Sequence, residues 1–460
     1  MQEISKRKKG NLVVKAKTTL TFYGGVNEVG GNKILLKDRN AKILFDFGVS
    51  FALKAKFYSS PFLSPKSEES LLEFGMLPKI NGIYRFERGS ETEIDAVFLT
   101  HAHMDHAAYI SFLRREIPVF CGKTTKIVLE AFSKIHPKGL EFNFEGINFH
   151  SFRTGDKIAV DNVEVEPVHV DHSIPGAYGF LIHTSSGTIV YTGDFRMHGS
   201  KPEMTQEFVE KAVEAEPVAI ICEGTNMTGA TVSSEREVMK KVNRVIKDVN
   251  GLTLADFART DIDRFNTFYK AACKTEKCLA ISMRQAYLLN ELRRDKKLKV
   301  PSLRDETLRI FQKKKKYAYK WEREIFDAFS YKVLDSKTLS RKQCNVILVT
   351  SFYDLEELVE IKPAPGSCYI LSASEPFNEE MEIDHQKLRN WLKHYGLPQY
   401  HIHVSGHIMP LQIKKILRKI GAKAVFPVHT EHVDLFVRFM NDLPSKMIGV
   451  EKGKAYRILG

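Results

Sequence analysis

The stretch AVFLTHAHMDHAAYI, residues 96–110, decides the fold of this chain. Its apolar start is typical of a buried strand, and a helix-like segment follows the histidine-rich turn. Because side chains alternate along a strand, His101 and His103 would point to the same side. Asp105 and His106 could then curl back from the loop. Imidazole nitrogens and carboxylate oxygens are ligands that Zn²⁺ takes, so the spacing predicts a metal site at this strand-to-helix turn.

A site for two metal ions needs more ligands, and three further candidates each follow a predicted strand. His172 comes after VEVEPVHV, Asp194 closes TIVYTGD, and His429 closes KAVFPVH. Each of them, met alone, would more often be a structural residue. Together with the first four they make a complete set for two metal ions that share one centre.

Composition excludes several classes of protein and favours a polyanionic partner. The chain has 460 residues, 43% of them hydrophobic and 27% charged, as in soluble globular proteins of two or three domains. No apolar stretch approaches the roughly 20 residues that cross a bilayer, and we expect a cytoplasmic protein without a secretory signal. The 69 basic against 56 acidic residues leave a net charge of +13, which favours nucleic acid. The six scattered cysteines form no C-x-x-C pair and are expected to be reduced thiols.

The pattern of strands and helices predicts an α/β fold of at least two modules. Strand-like runs with interspersed helices fill the first half, and residues 54–90 look like a long insertion that is helical near residues 67–74. The sequence pattern changes near Pro217 to alternating strands and helices, and it changes back at Met409. VDLFVRFM is predicted to form the final helix. The most basic stretch, residues 293–323, is either a solvated helix face or a surface that guides a nucleic-acid strand.

Phrases along the chain resemble a known family. GGVNEVGGN, HAHMDH, DHSIPG, YTGDF, EGTN, HVSGH and PVHTE are similar, in order and spacing, to the metallo-β-lactamase superfamily and its β-CASP branch, and most of all to RNase J-type ribonucleases. The resemblance implies an α/β fold, a metallo-β-lactamase αββα sandwich with an inserted α/β β-CASP domain. The implied division is a basic arm at 1–16, a first lactamase part at 17–215, the β-CASP domain at 216–406 and a C-terminal lactamase part at 407–460. The chain ends soon after the last predicted helix, so we expect it to lack the extra C-terminal domain of many bacterial members.

The resemblance also implies roles for the metal-binding residues. One zinc ion would be held by His101, His103 and His172, the other by Asp105, His106 and His429, with Asp194 as the bridge in the catalytic centre. Asp46, in LFDFG, would orient ligands of the histidine-rich turn, and a structural aspartate is the alternative. Manganese also accepts this ligand set.

Further motifs imply catalytic and substrate-binding residues. Glu223 in CEGTN and His407 in HVSGH match two motifs of the β-CASP domain, and His407 is the candidate general acid with Glu223 orienting it. His403 and Ser405 resemble phosphate contacts. His429 matches the position where RNA-cutting branches carry histidine and DNA-cutting branches carry valine, which favours RNA.

These motifs imply a ribonuclease that hydrolyses single-stranded RNA with two zinc ions. The resemblance suggests 5′-to-3′ exonuclease action, and the sequence does not choose between it and endonuclease action. It also implies a homodimer, and we expect no membrane partner. The alternatives are a site-specific RNA endonuclease of cleavage-factor type, a non-catalytic RNA-binding scaffold, and a small-molecule hydrolase. The complete ligand set disfavours the scaffold, and the inserted domain disfavours the small-molecule hydrolase.

Overall fold

The computed structural model of the chain describes residues 18–59, 62–87, 92–136, 139–374 and 379–459. The predicted basic arm at residues 1–16 lies outside the described residues. The strands are β1 Thr18–Gly24, β2 Lys33–Asp38, β3 Ala41–Phe47, β4 Ala96–Leu99, β5 Val119–Gly122, β6 Phe149–Phe152, β7 Ile158–Val160, β8 Val163–His169, β9 Tyr178–Thr184, β10 Gly187–Tyr191, β11 Ala219–Glu223, β12 Thr253–Asp256, β13 Cys278–Ser282, β14 Leu308–Phe311, β15 Val333–Leu334, β16 Val346–Thr350, β17 Cys368–Leu371, β18 Gln399–His401, β19 Ala424–Val428, β20 Lys446–Met447 and β21 Ala455–Ile458. The helices are α1 Phe51–Phe57, α2 Glu68–Glu73, α3 Met104–Ala107, α4 Lys123–Ile135, α5 Pro202–Glu214, α6 Glu235–Asp248, α7 Ile262–Lys274, α8 Met283–Leu292, α9 Lys320–Phe329, α10 Ser336–Ser340, α11 Leu358–Ile361, α12 Glu379–His394, α13 Pro410–Ile420 and α14 Val433–Phe439.

Two mixed sheets pack face to face and form the first module. The first has the order β21-β1-β2-β3-β4-β5-β6 and the second the order β20-β19-β11-β10-β9-β8-β7. The core between them takes alternate side chains from both sheets, for example Phe22, Phe45 and Phe98 from the first and Phe180 and Phe426 from the second. This alternation follows from the two-residue period of a strand, which sends neighbouring side chains to opposite faces.

Helices cover the outer faces of both sheets. Leu129 and Phe132 of α4 belong to the core on the outer side of the first sheet. Phe208 of α5, Leu417 of α13 and Phe436 of α14 belong to the core on the outer side of the second. The layers are therefore helix, sheet, sheet, helix, as the predicted αββα sandwich requires.

The third sheet is wholly parallel and forms the inserted module. Its order is β15-β14-β13-β16-β12-β17-β18, and its strands run from Thr253 to His401. Apolar layers cover both faces, so β16 and β17 are buried along their whole length. Such continuous burial is typical of parallel sheets enclosed by helices.

The inserted module leaves and re-enters the second sheet between two neighbouring strands. β11 pairs in parallel with β19, and in that register Glu223 lies opposite Val428. Residues 216–223 fall inside the range that we predict for the inserted domain, yet β11 also pairs with β10 of the second sheet. By sheet membership the excursion begins after Glu223, because the apolar run of β11 completes the lactamase-like sheet; the exact domain limits stay a proposal.

The C-terminal end confirms the predicted final helix and adds two short strands after it. VDLFVRFM contains α14 but is not the last regular element, since β20 and β21 follow it. β21 pairs antiparallel with β1, where Ile458 lies opposite Thr18. These strands are only two and four residues long, too short for a period to stand out in the sequence. Near the start of the chain, α2 confirms the predicted helical segment near residues 67–74.

Candidate metal centre

The predicted metal ligands follow strand ends that converge at one edge of the two facing sheets. His101 follows β4, Asp194 follows β10, and His429 follows β19. His172 follows β8 in the second sheet. The structure thus brings together seven residues, named here the metal cluster, from four separate stretches of the chain: His101, His103, Asp105, His106, His172, Asp194 and His429.

The loop GGVNEVGGN holds two of these stretches in place through its backbone. The amide of Asn32 donates to the carbonyl of Asp105 at 3.0 Å, and the amide of His429 donates to the carbonyl of Gly25 at 2.8 Å. A Cβ at Gly30, whose φ is +83°, would lie 2.7 Å from the Cβ of Asp105. Only glycine fits this close approach, so the loop lies directly against the cluster.

Three imidazoles lie with their ring nitrogens close to one another. His101 Nε2 and His172 Nε2 lie 3.0 and 3.1 Å from His103 Nδ1. His172 Nδ1 donates to the carbonyl of Gly406 at 2.7 Å, which leaves a lone pair on its Nε2. Nitrogens with lone pairs facing one another are the arrangement that a cation between them would satisfy.

Burial keeps these three imidazoles neutral. It lowers the pKa of His101 and His172 well below the usual value, and neighbouring imidazoles lower both further. Burial also lowers the pKa of His103 to about 4, against the opposing charges of Asp105 and Asp194. A neutral imidazole is the form that binds a metal ion.

The other half of the cluster combines imidazoles with carboxylates. His429 Nε2 lies 3.2 Å from Asp105 Oδ2, and His106 Nδ1 donates to Asp46 Oδ2 at 2.8 Å. Asp46 also accepts from the backbone amide of Thr100 and the hydroxyl of Tyr191, at 2.8 and 2.7 Å. A carboxylate that fixes an imidazole in this way orients its second nitrogen towards the centre.

Asp194 lies between the two halves of the metal cluster. Its Oδ2 is 3.1 Å from His106 Nε2, 3.6 Å from both His101 Nε2 and His429 Nε2, and 3.9 Å from His172 Nε2. The charges of His106 and His429 outweigh burial and hold the pKa of Asp194 well below its usual value. Its Oδ1 is buried and has no hydrogen-bond partner among the described residues.

These observations fit a divalent metal centre. Within each of three groups, the ligand atoms lie within 4.8 Å of one another. The groups are His101, His103, His172 and Asp194; Asp105, His106 and His429; and Asp194, Glu223, His407 and His429. The orphaned Asp194 oxygen and the facing imidazole lone pairs are satisfied together only if cations lie between them.

His407 and Glu223 form a pair at the rim of the cluster. His407 Nδ1 lies 3.1 Å from Glu223 Oε2, and its ring packs against those of His172 and His429 with centroids 5.2 Å away. Burial alone would lower the pKa of His407, but the charges of Glu223 and Asp194 raise it to about 9. Its Nε2 has no hydrogen-bond partner among the described residues, so a protonated ring could donate from that atom.

The two predicted phosphate contacts differ in their surroundings. Ser405 Oγ accepts from the backbone amide of His407 and from Asn226 Nδ2, both at 3.1 Å, so it lies at the rim with His407. His403 stacks on His401 with ring centroids 6.3 Å apart. Burial and the charge of Arg264 lower the pKa of His403 to about 3, which leaves a neutral ring.

The sequence did not single out several residues that complete the site. Thr225 Oγ1 donates to Glu223 Oε2 at 2.6 Å and accepts from His429 Nδ1 at 2.8 Å, which turns His429 Nε2 towards Asp105. Asn226 Nδ2 donates to the carbonyl of His407 at 2.7 Å. Both follow Glu223 in the phrase EGTN, so the signal was present but no contact could be inferred from it.

A buried ionic network ties the metal cluster to the inserted module. Arg196, two residues after Asp194, is fully buried and contacts Asp171 at 3.2 Å, Glu235 at 3.1 Å and Asp263 at 2.6 Å. Arg264, also fully buried, reaches Glu235 at 2.9 Å and the hydroxyl of Ser372 at 2.6 Å. This set, named here the arginine network, consists of Arg196, Arg264, Asp171, Glu235 and Asp263.

Comparisons with known proteins agree with this geometry. A family model described as a β-lactamase superfamily domain matches residues 82–216. Ribonuclease J of Mycoplasma pneumoniae is 24% identical over 436 residues, which is 91% of this chain and 69% of that protein. Ribonuclease J of Thermus thermophilus is 25% identical, covering 95% of this chain and 73% of that protein.

Two further matches extend the likeness. Ribonuclease J of Sinorhizobium meliloti is 26% identical over 90% of this chain and 68% of its own length. A solved structure from Enterococcus faecalis V583, described as a protein of unknown function, shares the fold with a TM-score of 0.74 at 23% identity, over 96% of this chain and 100% of that chain. Residues 82–216 thus match the β-lactamase superfamily model, and the chain is similar over 90% or more of its length to proteins named ribonuclease J.

Proposed function

We propose that this protein is a zinc-dependent ribonuclease that hydrolyses phosphodiesters of single-stranded RNA. The observation that carries the proposal is the Asp194 carboxylate, surrounded by imidazole nitrogens from both halves of the metal cluster, with His407 beside it. The relatives named ribonuclease J supply the substrate class. Zinc is our choice from histidine-rich ligands, and manganese is the alternative.

In this proposal the residues of the metal cluster would hold two ions, and Asp194 would be a ligand shared by both. When bound, the ions supply Lewis acidity that activates a water and neutralises charge on the phosphoryl oxygens. The residues around the cluster fix its ligands in the required tautomers, as Gly406 does for His172 and Asp46 for His106. Geometry of this kind needs no reorganisation when substrate binds, which lowers the barrier.

His407 would act as the general acid. Glu223 accepts from its Nδ1, so the ring can carry a second proton on Nε2. That proton would pass to the 3′-oxygen as it leaves phosphorus, giving a 5′-phosphate and a 3′-hydroxyl. Ser405 and His403 would contact phosphate beside it, and Asp46 would only orient His106.

Burial supports a single strand as substrate. His101 is 0% and Asp194 2% exposed, so a duplex would not reach them easily. A cavity of about 860 Å³ opens beside His172, between the first module and the inserted module. Lys201 on one side and Lys270 and Lys297 on the other give it cations for a phosphate backbone.

Several finer properties rest on the resemblance alone. They are 5′-to-3′ exonuclease action with endonuclease action beside it, a role in RNA processing and decay, a homodimer and a cytoplasmic location. Among the described residues, no helix is both long and apolar enough to span a bilayer.

The test is degradation of a 5′-monophosphorylated, 3′-labelled single-stranded RNA. Wild type would be compared with His407→Ala, and with wild type plus a chelator. We expect wild type to release mononucleotides while the label stays on shortening RNA. His407→Ala should cut about 10²–10⁴-fold more slowly while keeping its bound metal, because only the proton donor is lost.

The controls decide between the alternatives. His150→Ala removes an exposed histidine outside the metal cluster and should leave the rate unchanged. Discrete labelled fragments instead of mononucleotides would indicate a site-specific endonuclease. Intact RNA with metal-loaded wild type would contradict the proposed function and leave the fold as it stands.

A further inference from the structure

A second cavity lies within the inserted module, at the carboxyl ends of its parallel strands. It has a volume of about 540 Å³ and is lined by Ser282 at the end of β13, Phe311 at the end of β14 and Ser351 just after β16. In open parallel sheets, ligands bind in the crevice outside the carboxyl ends of the strands. None of the residues of the metal cluster lines this cavity.

Two arginines of this cavity have no counter-ion. Arg259 and Arg284 both line it and are partly buried, and neither makes a hydrogen bond or ion pair with any described residue. Burial lowers the pKa of Arg259, and the neighbouring charge of Arg284 lowers it further, against a smaller opposing effect of Asp354. Two desolvated like charges side by side are costly unless an anion joins them.

The carboxylates of the cavity are already engaged. Asp354 pairs with Lys313 and accepts from Ser351 Oγ at 2.7 Å. Glu322 pairs with Lys315 at 2.5 Å. The positive charge of the two arginines is therefore left for a ligand from outside.

Aromatic side chains line the same cavity. Phe326 and Tyr353 are exposed, at 38% and 82%, and Phe311 is buried at its base. Exposed rings beside paired arginines suit a base stacked next to its phosphate. Lipid and protein ligands would need a broad apolar face instead, and this cavity offers isolated rings.

The cavity shares its sheet edge with the HVSGH segment of the proposed active site. β18 leads into that segment, and β16 and β13 lie three and four positions along in the order β13-β16-β12-β17-β18. Arg259 follows β12 and Arg284 follows β13, two and four positions from β18, so at about 4.8 Å per strand the two arginines lie roughly 10–19 Å along this edge. A strand of several nucleotides could extend over that distance.

We propose that this cavity, named here the arginine pocket, binds the phosphate of a nucleotide between Arg259 and Arg284. The nucleotide belongs either to an RNA strand held across the sheet edge or to a free nucleoside monophosphate. Phosphate binding here needs no metal ion, so the proposal goes beyond the proposed reaction. The proposal also assigns a function to part of the basic stretch at residues 293–323, because its Lys313 and Lys315 line the pocket.

The test compares Arg259→Gln/Arg284→Gln with a control pair in the full chain. The control, Lys314→Gln/Lys316→Gln, removes the same charge from two exposed lysines that do not line the pocket. All proteins carry His407→Ala to slow cleavage. Binding of adenosine 5′-monophosphate and of a 20-nucleotide oligoadenylate is measured by fluorescence anisotropy over a range of salt concentrations.

We expect the pocket pair to lose about tenfold or more in affinity, and the control pair less than about threefold. With the oligoadenylate, the slope of log affinity against log salt should fall by about 0.7, because one phosphate contact is lost. A loss seen with the monophosphate identifies a free nucleotide as ligand. A loss seen only with the oligoadenylate identifies the bound strand.

Denaturant unfolding shows whether the pocket pair binds weakly only because the protein is destabilised. The pocket pair should unfold at the same or a higher denaturant concentration, because it removes two unpaired charges. If it unfolds more easily, Arg259→Lys/Arg284→Lys replaces it, and weaker binding by the lysine pair, which keeps the charge but not the planar fork, supports the pocket. Wild-type affinity for both probes in the pocket variants, or an equal loss in the control pair, would overturn the proposal, whether or not the enzyme cleaves RNA.

Discussion

The metal cluster and the arginine network are both buried groups of charged and polar side chains, and they differ in whether each cation faces a carboxylate. In the arginine network, Arg196 has three carboxylate partners. In the metal cluster, imidazole nitrogens face each other at 3.0 and 3.1 Å, and Asp194 Oδ1 has no partner among the described residues. Both lie where the two modules meet, only two residues apart along the chain at Asp194 and Arg196.

This difference distinguishes a group of residues that stabilises the fold from a group that binds a ligand. The arginine network pairs cations with carboxylates and so holds two modules in register, although Glu235 Oε2 and Arg264 Nε have no hydrogen-bond partner among the described residues. A cluster with converging lone pairs and an orphaned carboxylate oxygen is complete only with a cation. The arginine pocket is the opposite case, since Arg259 and Arg284 are complete only with an anion.

The largest effect is expected from Asp194→Asn. The amide presents N–H groups to a centre that needs a bridging anion, so metal binding and RNA cleavage should both collapse. A loss of about 4 kcal/mol in transition-state stabilisation corresponds to roughly 10³-fold in rate. Initial rates on labelled RNA check it, and retention of more than a tenth of the wild-type rate would contradict the role of Asp194.

Breaking the arginine network should instead destabilise the fold. Arg196→Met leaves Asp171 buried without an ion-pair partner and Glu235 with Arg264 alone, which is expected to cost about 3–5 kcal/mol in the free energy of unfolding. Denaturant titration measures it. Lys42→Met, which breaks the exposed pair with Glu93, is the control and should cost no more than about 1 kcal/mol. Similar losses in both variants would show that the network does not hold the modules together.

Asp46→Asn tests the orientation of one half of the metal cluster. The amide would turn a donor towards His106 Nδ1–H, so His106 loses the acceptor that holds it in place. We expect metal affinity to fall about 10–100-fold while the ligands themselves remain. Competition with a chelator measures the affinity, and Asp95→Asn, on the surface, is the matched control. Unchanged affinity would make Asp46 a structural aspartate.

Lys33 should give a pH dependence of stability rather than a loss of activity. Burial lowers the pKa of Lys33 to about 7, against the raising effect of Glu28, and its ammonium donates to the carbonyl of Gly31 at 3.1 Å. Below pH 7 the folded protein must bury this charge without an ion pair, so Lys33→Met should be more stable than wild type. Between pH 7 and about 10 the unfolded chain binds the extra proton, and the advantage should shrink by about 1.4 kcal/mol per pH unit.

Unfolding free energies of both proteins across that pH range check this prediction. A constant difference between them would contradict it and would indicate that Lys33 keeps its proton when folded. The result extends the comparison between the metal cluster and the arginine network to a third buried site. Lys33 is a buried cation that has neither the carboxylate partners of the arginine network nor the accessible cavity of the arginine pocket.

Local sequence determined the part of the site that is local. His101, His103, Asp105 and His106 lie within six residues, and a strand followed by a turn is enough to bring them together. The order of strands predicted an α/β fold, and the αββα sandwich followed from the family resemblance. His172, Asp194 and His429 were candidates because each follows a predicted strand, and the resemblance assigned each of them to a metal ion.

Contacts that depend on strand pairing could not be predicted. Glu223 lies beside His429 because β11 pairs with β19 across the whole inserted module. Thr225 joins the two residues only in that register. The same reason explains Arg196, whose partners come from three distant segments. The C-terminal strand β21 was missed because four residues give too weak a periodic signal.

The most direct test of the two-metal account is the metal content of the full chain. Elemental analysis would be made on wild type and Asp194→Asn after saturation with zinc and removal of free ions, alongside RNA cleavage. We predict two ions per wild-type chain, fewer than two in the variant, and cleavage that returns only as the second equivalent is added to chelated wild type. Wild-type protein that cleaves RNA with no bound metal, or that binds no more zinc than Asp194→Asn, would contradict it.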